Sequence, residues 1–208
     1  MLFKKRFKEL IKGFLKKSYF YRDYFRIQQT KIPVNIRQYT LYKLFYRFIK
    51  DKRIHWPVHK TSSVTGNIKV GVNSSVGATQ GCYIQGLGEV IIGSYTLFGP
   101  NVGIISSNHN LYDYREHSNN KVVIGDYCWV GMNSVILPGV KLGNHTIVGA
   151  CSVVTKSFEE GYCIIAGNPA RVVKKLNPEQ IIDYKDKYEY YGYIPKEKFK
   201  KYREKYVD

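Results

Sequence analysis

Between residues 64 and 154 aliphatic residues recur every six positions, with one break at residues 106–121. From Ile124 the series reads Ile124-Gly125, Val130-Gly131, Ile136-Leu137, Leu142-Gly143, Val148-Gly149 and Val154-Thr155. A small or β-branched residue falls four places after the aliphatic, as at Cys128, Ser134, Val140, Thr146 and Ser152. The same spacing opens the region at Val64, Val70, Val76 and Cys82. It resumes at Ile92, Phe98 and Ile104 after an insertion at Gly86-Leu87-Gly88-Glu89, read here as four residues in one bulged corner. Helices repeat at 3.6 residues and strands at two, so a period of six fits neither alone. It fits a solenoid of short rungs. Three such rungs close a triangular coil of about 18 residues, and stacked coils pair as parallel strands about 4.8 Å apart. The first aliphatic of each rung then points inward. The fold expected is mainly β: a parallel β-helix over residues 61–160 carrying the loop 106–121. A basic, aromatic, helical segment (1–60) precedes it, and a closing turn with a short helical tail (161–208) follows.

A chain of 208 residues accommodates one substantial domain with terminal additions, and no second independent core is expected. Its 44% apolar content is that of a folded protein, but its formal charge of +17 is unusual. Lys and Arg crowd the first 60 and last 40 residues, while the repeat is nearly neutral. That distribution points to anionic partners at the ends, a membrane surface or a phosphorylated ligand. Nucleic acid is not expected, because no recognition motif accompanies the basic residues. Cys82, Cys128, Cys151 and Cys163 form no CxxC pair, and three of them fall where the repeat calls for small residues. They read as buried fillers in a reducing compartment, not as a disulfide frame or a metal site. No apolar run approaches the roughly 20 residues needed to span a bilayer. Lys and Arg interrupt every hydrophobic stretch after Met1, so no signal peptide is read there. The expected location is the cytoplasm, with peripheral contact at the inner face of the plasma membrane left open.

Residues 2–17 place Leu2, Phe3, Phe7, Leu10, Ile11, Phe14 and Leu15 at helical spacing among seven Lys/Arg. Such a helix either lies on an anionic membrane face or packs its stripe on the solenoid or a neighbouring subunit. Helical character is expected to continue through 19–30, to stop at Pro33 and to return over 39–50. His55-Trp56-Pro57-Val58-His59 reads as extended because Pro57 disfavours helix in the residue before it. Without a helix to hold the two histidines together, no metal site is expected there. At the other end, Asn177-Pro178-Glu179 carries an N-cap, a first-turn proline and an acid, and predicts a helix. A second helix is expected near Pro195.

Two positions stand out by phase. Trp129 immediately precedes the inward Val130 and therefore projects outward, where an exposed aromatic asks for a ligand or a subunit to cover it. His109 lies in the polar excursion that follows Ile104, and such excursions from a rigid scaffold are where function concentrates. An imidazole there is the usual choice for taking a proton from a hydroxyl near neutral pH. An ordinary surface histidine fits the same position.

The segments Ile124-Gly125-Asp126-Tyr127-Cys128-Trp129-Val130-Gly131, Ile136-Leu137-Pro138-Gly139-Val140, Ser152-Val153-Val154-Thr155-Lys156 and Ala166-Gly167-Asn168-Pro169-Ala170-Arg171 occur in that order. Together they closely resemble the hexapeptide-repeat acetyltransferases, nearest the galactoside, maltose and xenobiotic group and the polysaccharide O-acetyltransferases. The resemblance covers residues 60–176. It implies a left-handed parallel β-helix assembled as a homotrimer, with active sites between subunits and acetyl-CoA as co-substrate. It implies no metal. Carried over by motif, His109 is the general base and Asn101 hydrogen-bonds the acceptor. Trp129 lines both the acceptor and the acetyl-CoA cleft. Met132, Ala150, Thr155 and Lys156 follow the pantetheine arm, and Arg171 with Lys174 lies near the nucleotide phosphates. Asp113 is a further acceptor-side candidate, and Asp113, Glu116 or a backbone carbonyl could orient His109.

Cys151 stands where a glycine is common, which narrows the groove, and the Asn-His-Asn-Leu-Tyr-Asp loop is less histidine-rich than in small-sugar enzymes. The leading reading is acetyl transfer to a sugar hydroxyl in cell-surface polysaccharide synthesis, with basic ends suited to a lipid-linked glycan. A small acceptor (an antibiotic, a free sugar, serine or a nucleotide-sugar amine) is the alternative within enzymes. A catalytically silent trimeric scaffold is the alternative outside them. A zinc β-helix is disfavoured, because His109, His117 and His145 lack the close pairing it needs.

Overall fold

An aliphatic side chain flanked two residues earlier by a small one fills the corner of a triangular coil, and this pairing sets the register of the whole molecule. In the computed structural model, residues 15, 18, 20–32, 34–45 and 51–207 are described. Val64, Ile84, Ile104, Ile136 and Val154 stack on the first face. Val70, Ile92, Ile124 and Leu142 stack on the second. Phe98, Val130, Val148 and Ile165 stack on the third. All these ladders are parallel. Strands Ser63–Val70 and Tyr83–Ile92 bend round the first edge, so the first two faces form one seven-stranded sheet and the third a five-stranded sheet. The coils are those of the left-handed parallel β-helix that the resemblance implied. Apart from Val64, the stacked residues are buried in one continuous core, with Cys82, Cys128, Cys163 and Val140 at the small positions.

Two details of the phase differ from expectation. Cys82 does not begin a rung; Ile84 does, in register with Val64 and Ile104. Cys82 is the small partner two residues before it. The four extra residues are accordingly split, two between Val76 and Ile84 and two in the Gly86–Glu89 bulge. A scan at period six cannot see such a split, because a pair of residues inserted before Cys82 moves a small residue into an aliphatic phase.

The ends of the chain pack together. Helix α1 (Arg22–Ile27) and helix α2 (Ile36–Phe45) enclose a small aromatic core of Ile27, Ile32, Val34 and Tyr39 with Tyr190 and Tyr193 from the tail. Neither terminal segment owns this core alone. α1 is shorter than the expected 19–30, and α2 starts before Tyr39. Residues 2–17 apart from Leu15, and 46–50, lie outside the described residues. The predicted helix at Asn177 is a single turn: Asn177 does cap it, accepting from Glu179 N at 3.0 Å, but it ends at Gln180. The chain then runs along the second-to-third edge of the prism. The helix expected near Pro195 is α3 (Lys196–Tyr206), whose Phe199 and Tyr202 are buried.

That edge explains the tail. The third residue after each inward aliphatic turns the corner with positive φ, at Tyr95, Tyr127 and His145 (φ 55–57°). Left-handed backbone costs a residue bearing a Cβ about 1–2 kcal/mol. Here the rings stack at 5.0 Å, Tyr95 on Tyr127 and Tyr127 on His145, with Tyr162 next at 5.0 Å. Such contacts return about 0.5–1.5 kcal/mol each. The tail binds this column: Asp183 pairs with His145 at 2.9 Å, Tyr184 O accepts from Tyr127 OH at 2.8 Å, and Glu189 accepts from Tyr95 OH at 2.8 Å.

Candidate active site

The residues singled out in the sequence fall on two different edges of the prism. The excursion 106–121 leaves the edge between the first and second faces as a β-hairpin, Ser107–His109 pairing antiparallel with His117–Asn119. His109 stands opposite His117, with ring centroids 4.4 Å apart. Its Nδ1–H donates to the carbonyl of Tyr114 at 2.5 Å, which fixes the tautomer and leaves Nε2 as the basic nitrogen. The orienting group is therefore a backbone carbonyl. Asp113 instead binds Arg115 through both oxygens, at 2.9 and 2.7 Å, and the guanidinium holds its carboxyl below the usual carboxylate range. Leu111 and Tyr112 at the hairpin tip are almost fully exposed. Thr155 and Lys156 lie on the same edge, between Val154 of the first face and Phe158 beside Leu142 of the second.

The small bulge braces the hairpin. Gly88 N donates to Ser106 Oγ at 2.9 Å, and Glu89 binds Lys69 at 2.9 Å and Lys121 at 2.6 Å. Those two lysines hold the Glu89 carboxyl below its ordinary range. A Cβ on Gly88 would stand 2.3 Å from Ser106 O and 2.6 Å from Asn120 N. Both insertions in the repeat are thus one structure. Sequence reading kept them apart because nothing in the period announces that they touch.

The third face and its edge with the first carry the other group. Leu97, Trp129, Ile147 and Ile164 are lateral neighbours in the outward row, and Lys174 of the antiparallel strand Ala170–Lys175 ends it opposite Ile164. Trp129 is 54% exposed. Arg171, opposite Ala166, is exposed at the same end. Beyond Trp129 the chain turns through the exposed Met132, as it does through Ala150 one coil later. Asn101 turns the same edge with φ 56° and donates to Asn133 Oδ1 at 2.9 Å. Asn133, which sequence reading passed over, shares the phase of Asn101 three residues after an inward aliphatic, and that is the signal that would have found it. An apolar row ending in cations suits a long ligand with an apolar arm and a phosphorylated end. Among the described residues no cluster of three or more metal-ligating side chains occurs. Burial pushes the Cys128 thiol up to about 11, so it holds its proton at neutral pH and is no nucleophile.

Residues 121–156 match the family described as bacterial transferase hexapeptide (six repeats). Over those residues the chain is similar to that family. Similar proteins include the galactoside O-acetyltransferase of Lactococcus lactis subsp. lactis (strain IL1403), 33% identical over 100 residues, 46% of this chain and 48% of that one. Another is the Escherichia coli (strain K12) protein named "Putative lipopolysaccharide biosynthesis O-acetyl transferase WbbJ", 37% identical over 110 residues, 47% of this chain and 56% of that one. The chain thus spans about half the length of the curated relatives it matches. In fold it is similar to the hexapeptide-repeat-containing acetyltransferase VCA0836 of Vibrio cholerae O1 biovar eltor, solved with acetyl coenzyme A. That likeness has a TM-score of 0.51 at 23% identity and covers 78% of this chain and 92% of that one.

Proposed function

We propose that the protein is an acetyl-CoA-dependent O-acetyltransferase acting on a sugar hydroxyl in cell-surface polysaccharide synthesis. The observation that carries this reading is the separation of the two groups of residues. His109, Thr155 and Lys156 occupy one edge of the prism, while Asn101, Trp129, Met132 and Ala150 occupy another edge and the face beside it. A base on one edge serves a groove on another when neighbouring copies pack side by side, so the reading includes a homotrimer with its sites between subunits. The acyl-transferase names of the relatives agree with it, and the WbbJ name favours a glycan acceptor. A lipid-linked acceptor fits the basic ends, including residues 2–17, at a cytoplasmic membrane face.

Acetyl-CoA, when bound, supplies an activated acetyl thioester. The apolar row through Trp129 fits the pantetheine arm, with Met132 and Ala150 along it and Lys174 and Arg171 toward the phosphates. Thr155 and Lys156, expected with them from the sequence, lie on the His109 edge and reach the arm only from a neighbouring copy. Asn101, braced by Asn133, offers an amide to the acceptor. His109 Nε2 accepts the proton of the attacking hydroxyl, and the Tyr114 carbonyl stabilises the imidazolium that results. Holding both substrates beside one base supplies much of the rate by orientation.

The test is transfer of radiolabelled acetyl from acetyl-CoA to a panel of glycans, free sugars and amines. His109→Gln is expected to lower kcat by about 10²–10⁴-fold, with acetyl-CoA binding retained. An unchanged rate would remove His109 from the chemistry. Transfer to amines alone would refute O-acetylation.

A further inference from the structure

The antiparallel pairing that lifts His109 off the prism places a second histidine beside it. Asn110 N donates to the carbonyl of Glu116 at 2.9 Å, which makes His109 and His117 a non-hydrogen-bonded pair of the hairpin. Residues at such a position send their side chains out of the same face, at the closest cross-strand spacing. The two imidazoles accordingly stand 4.4 Å apart, centre to centre, with their planes at 44°. Both residues are exposed. Proton transfer needs one imidazole, and His117 is left over.

An imidazole that binds a metal ion through one nitrogen generally donates its other N–H to a carbonyl or carboxylate, which fixes the ring. His109 is already in that state: its Nδ1–H is taken by the carbonyl of Tyr114, and Nε2 keeps its lone pair. No hydrogen bond engages the His117 ring among the described residues. Zinc bonds imidazole nitrogens at about 2.0–2.1 Å, and two of them on a tetrahedral ion set the ring centres about 5 Å apart. The pair reaches that spacing by parting less than about 1 Å. Neighbouring carboxylates do not compete for the ion. Asp113 is bound through both oxygens to Arg115, and Glu116 belongs to the opposite face of the hairpin. Imidazoles without carboxylates select zinc, copper and nickel over magnesium and calcium. Two protein ligands are fewer than the three or four of catalytic and structural sites, and they suit an ion that comes and goes.

We propose that His109 and His117 together bind a divalent transition-metal ion, zinc foremost, and that the ion inhibits the protein by occupying the nitrogen that would take the acceptor proton. The ion is a regulator and not a cofactor. Binding needs only the hairpin, whereas the inhibitory half rests on His109 as the base of the proposed reaction. Transfer then slows as free zinc rises and recovers when it falls.

The test is titration of the full-length, chelator-treated protein with zinc chloride by isothermal titration calorimetry, with no acetyl-CoA or acceptor present. A single ion per chain is expected. Removing a group that merely orients a metal ligand costs about 10–100-fold in affinity, and losing a ligand costs no less. His109→Gln and His117→Gln are therefore each expected to weaken binding by about tenfold or more. Cys151→Ser, which removes the exposed thiol of another edge, is expected to bind as wild type. Transfer of radiolabelled acetyl is then measured with and without zinc. Wild type is expected to be inhibited and to be rescued by EDTA. His117→Gln is expected to keep its basal rate and to resist zinc at concentrations that silence wild type, with circular dichroism melts checking its fold. Equal zinc binding by wild type and both histidine variants overturns the proposal, as does loss of binding in Cys151→Ser alone. Zinc held by the pair with transfer at its full rate also overturns it. Should zinc-free wild type transfer acetyl to no acceptor, the proposed function falls and inhibition with it, whereas calorimetry still confirms or overturns the metal site.

Discussion

His55 shows what a single residue contributes to the junction between the prism and its ends. It is 2% exposed, enclosed by Trp56, Phe199 and Tyr202, and its Nδ1 bonds the carbonyl of Arg53 at 2.8 Å. Burial pushes its pKa down to about 4. The folded chain therefore keeps His55 neutral between about pH 4 and 6.5, while the unfolded chain protonates it there. With more protons on the unfolded state, stability falls as pH drops through this window, by on the order of 3 kcal/mol from this residue by pH 4. The check is urea unfolding of wild type and His55→Phe from pH 7 to pH 4. The difference between the two curves isolates the imidazole from the carboxylates that also titrate. Parallel curves would show that His55 is solvated in the folded state.

At the level of elements, the hairpin bearing His109 is held by a neighbouring bulge. Gly88→Ala places a methyl group against backbone atoms at the hairpin base, so the hairpin has to move. A displacement of about 1 Å can cost about 10²-fold in rate. Steady-state kinetics are expected to show that loss in kcat, with KM for acetyl-CoA and the melting curve little changed. A wild-type rate would mean that the hairpin is positioned elsewhere. This bracing also marks the limit of the sequence. The rungs were legible because inward aliphatics and their small partners repeat, and the outward phase of Trp129 followed directly. The antiparallel pairing of 107–109 with 117–119, the bond from His109 to Tyr114 and the contact of Gly88 with Ser106 follow no period. The Asn177 cap was read correctly as chemistry, yet its helix stops after one turn. Asp183, Tyr184 and Glu189 are drawn instead onto Tyr95, Tyr127 and His145, residues far upstream whose stacking only the coiled fold creates.

For the whole molecule, the division of the candidate site between two edges makes a statement about assembly that a mixture of two variants can test. His109→Ala keeps the groove but removes the base, whereas Ala150→Trp keeps the base and fills the groove. Each alone is expected to be nearly inactive. In a cyclic trimer each subunit gives its base to one neighbour and its groove to the other. Random mixing of the two variants, by unfolding and refolding together, then produces sites in which an intact base faces an intact groove, roughly a quarter of the total. Acetyl transfer by the mixture is expected to return to about that fraction of the wild-type rate. If one chain supplied both base and groove to the same site, every site in the mixture would carry a defect and no activity would return. Restored activity would thus locate the chemistry between copies, and an inactive mixture of properly assembled trimers would place it within one chain.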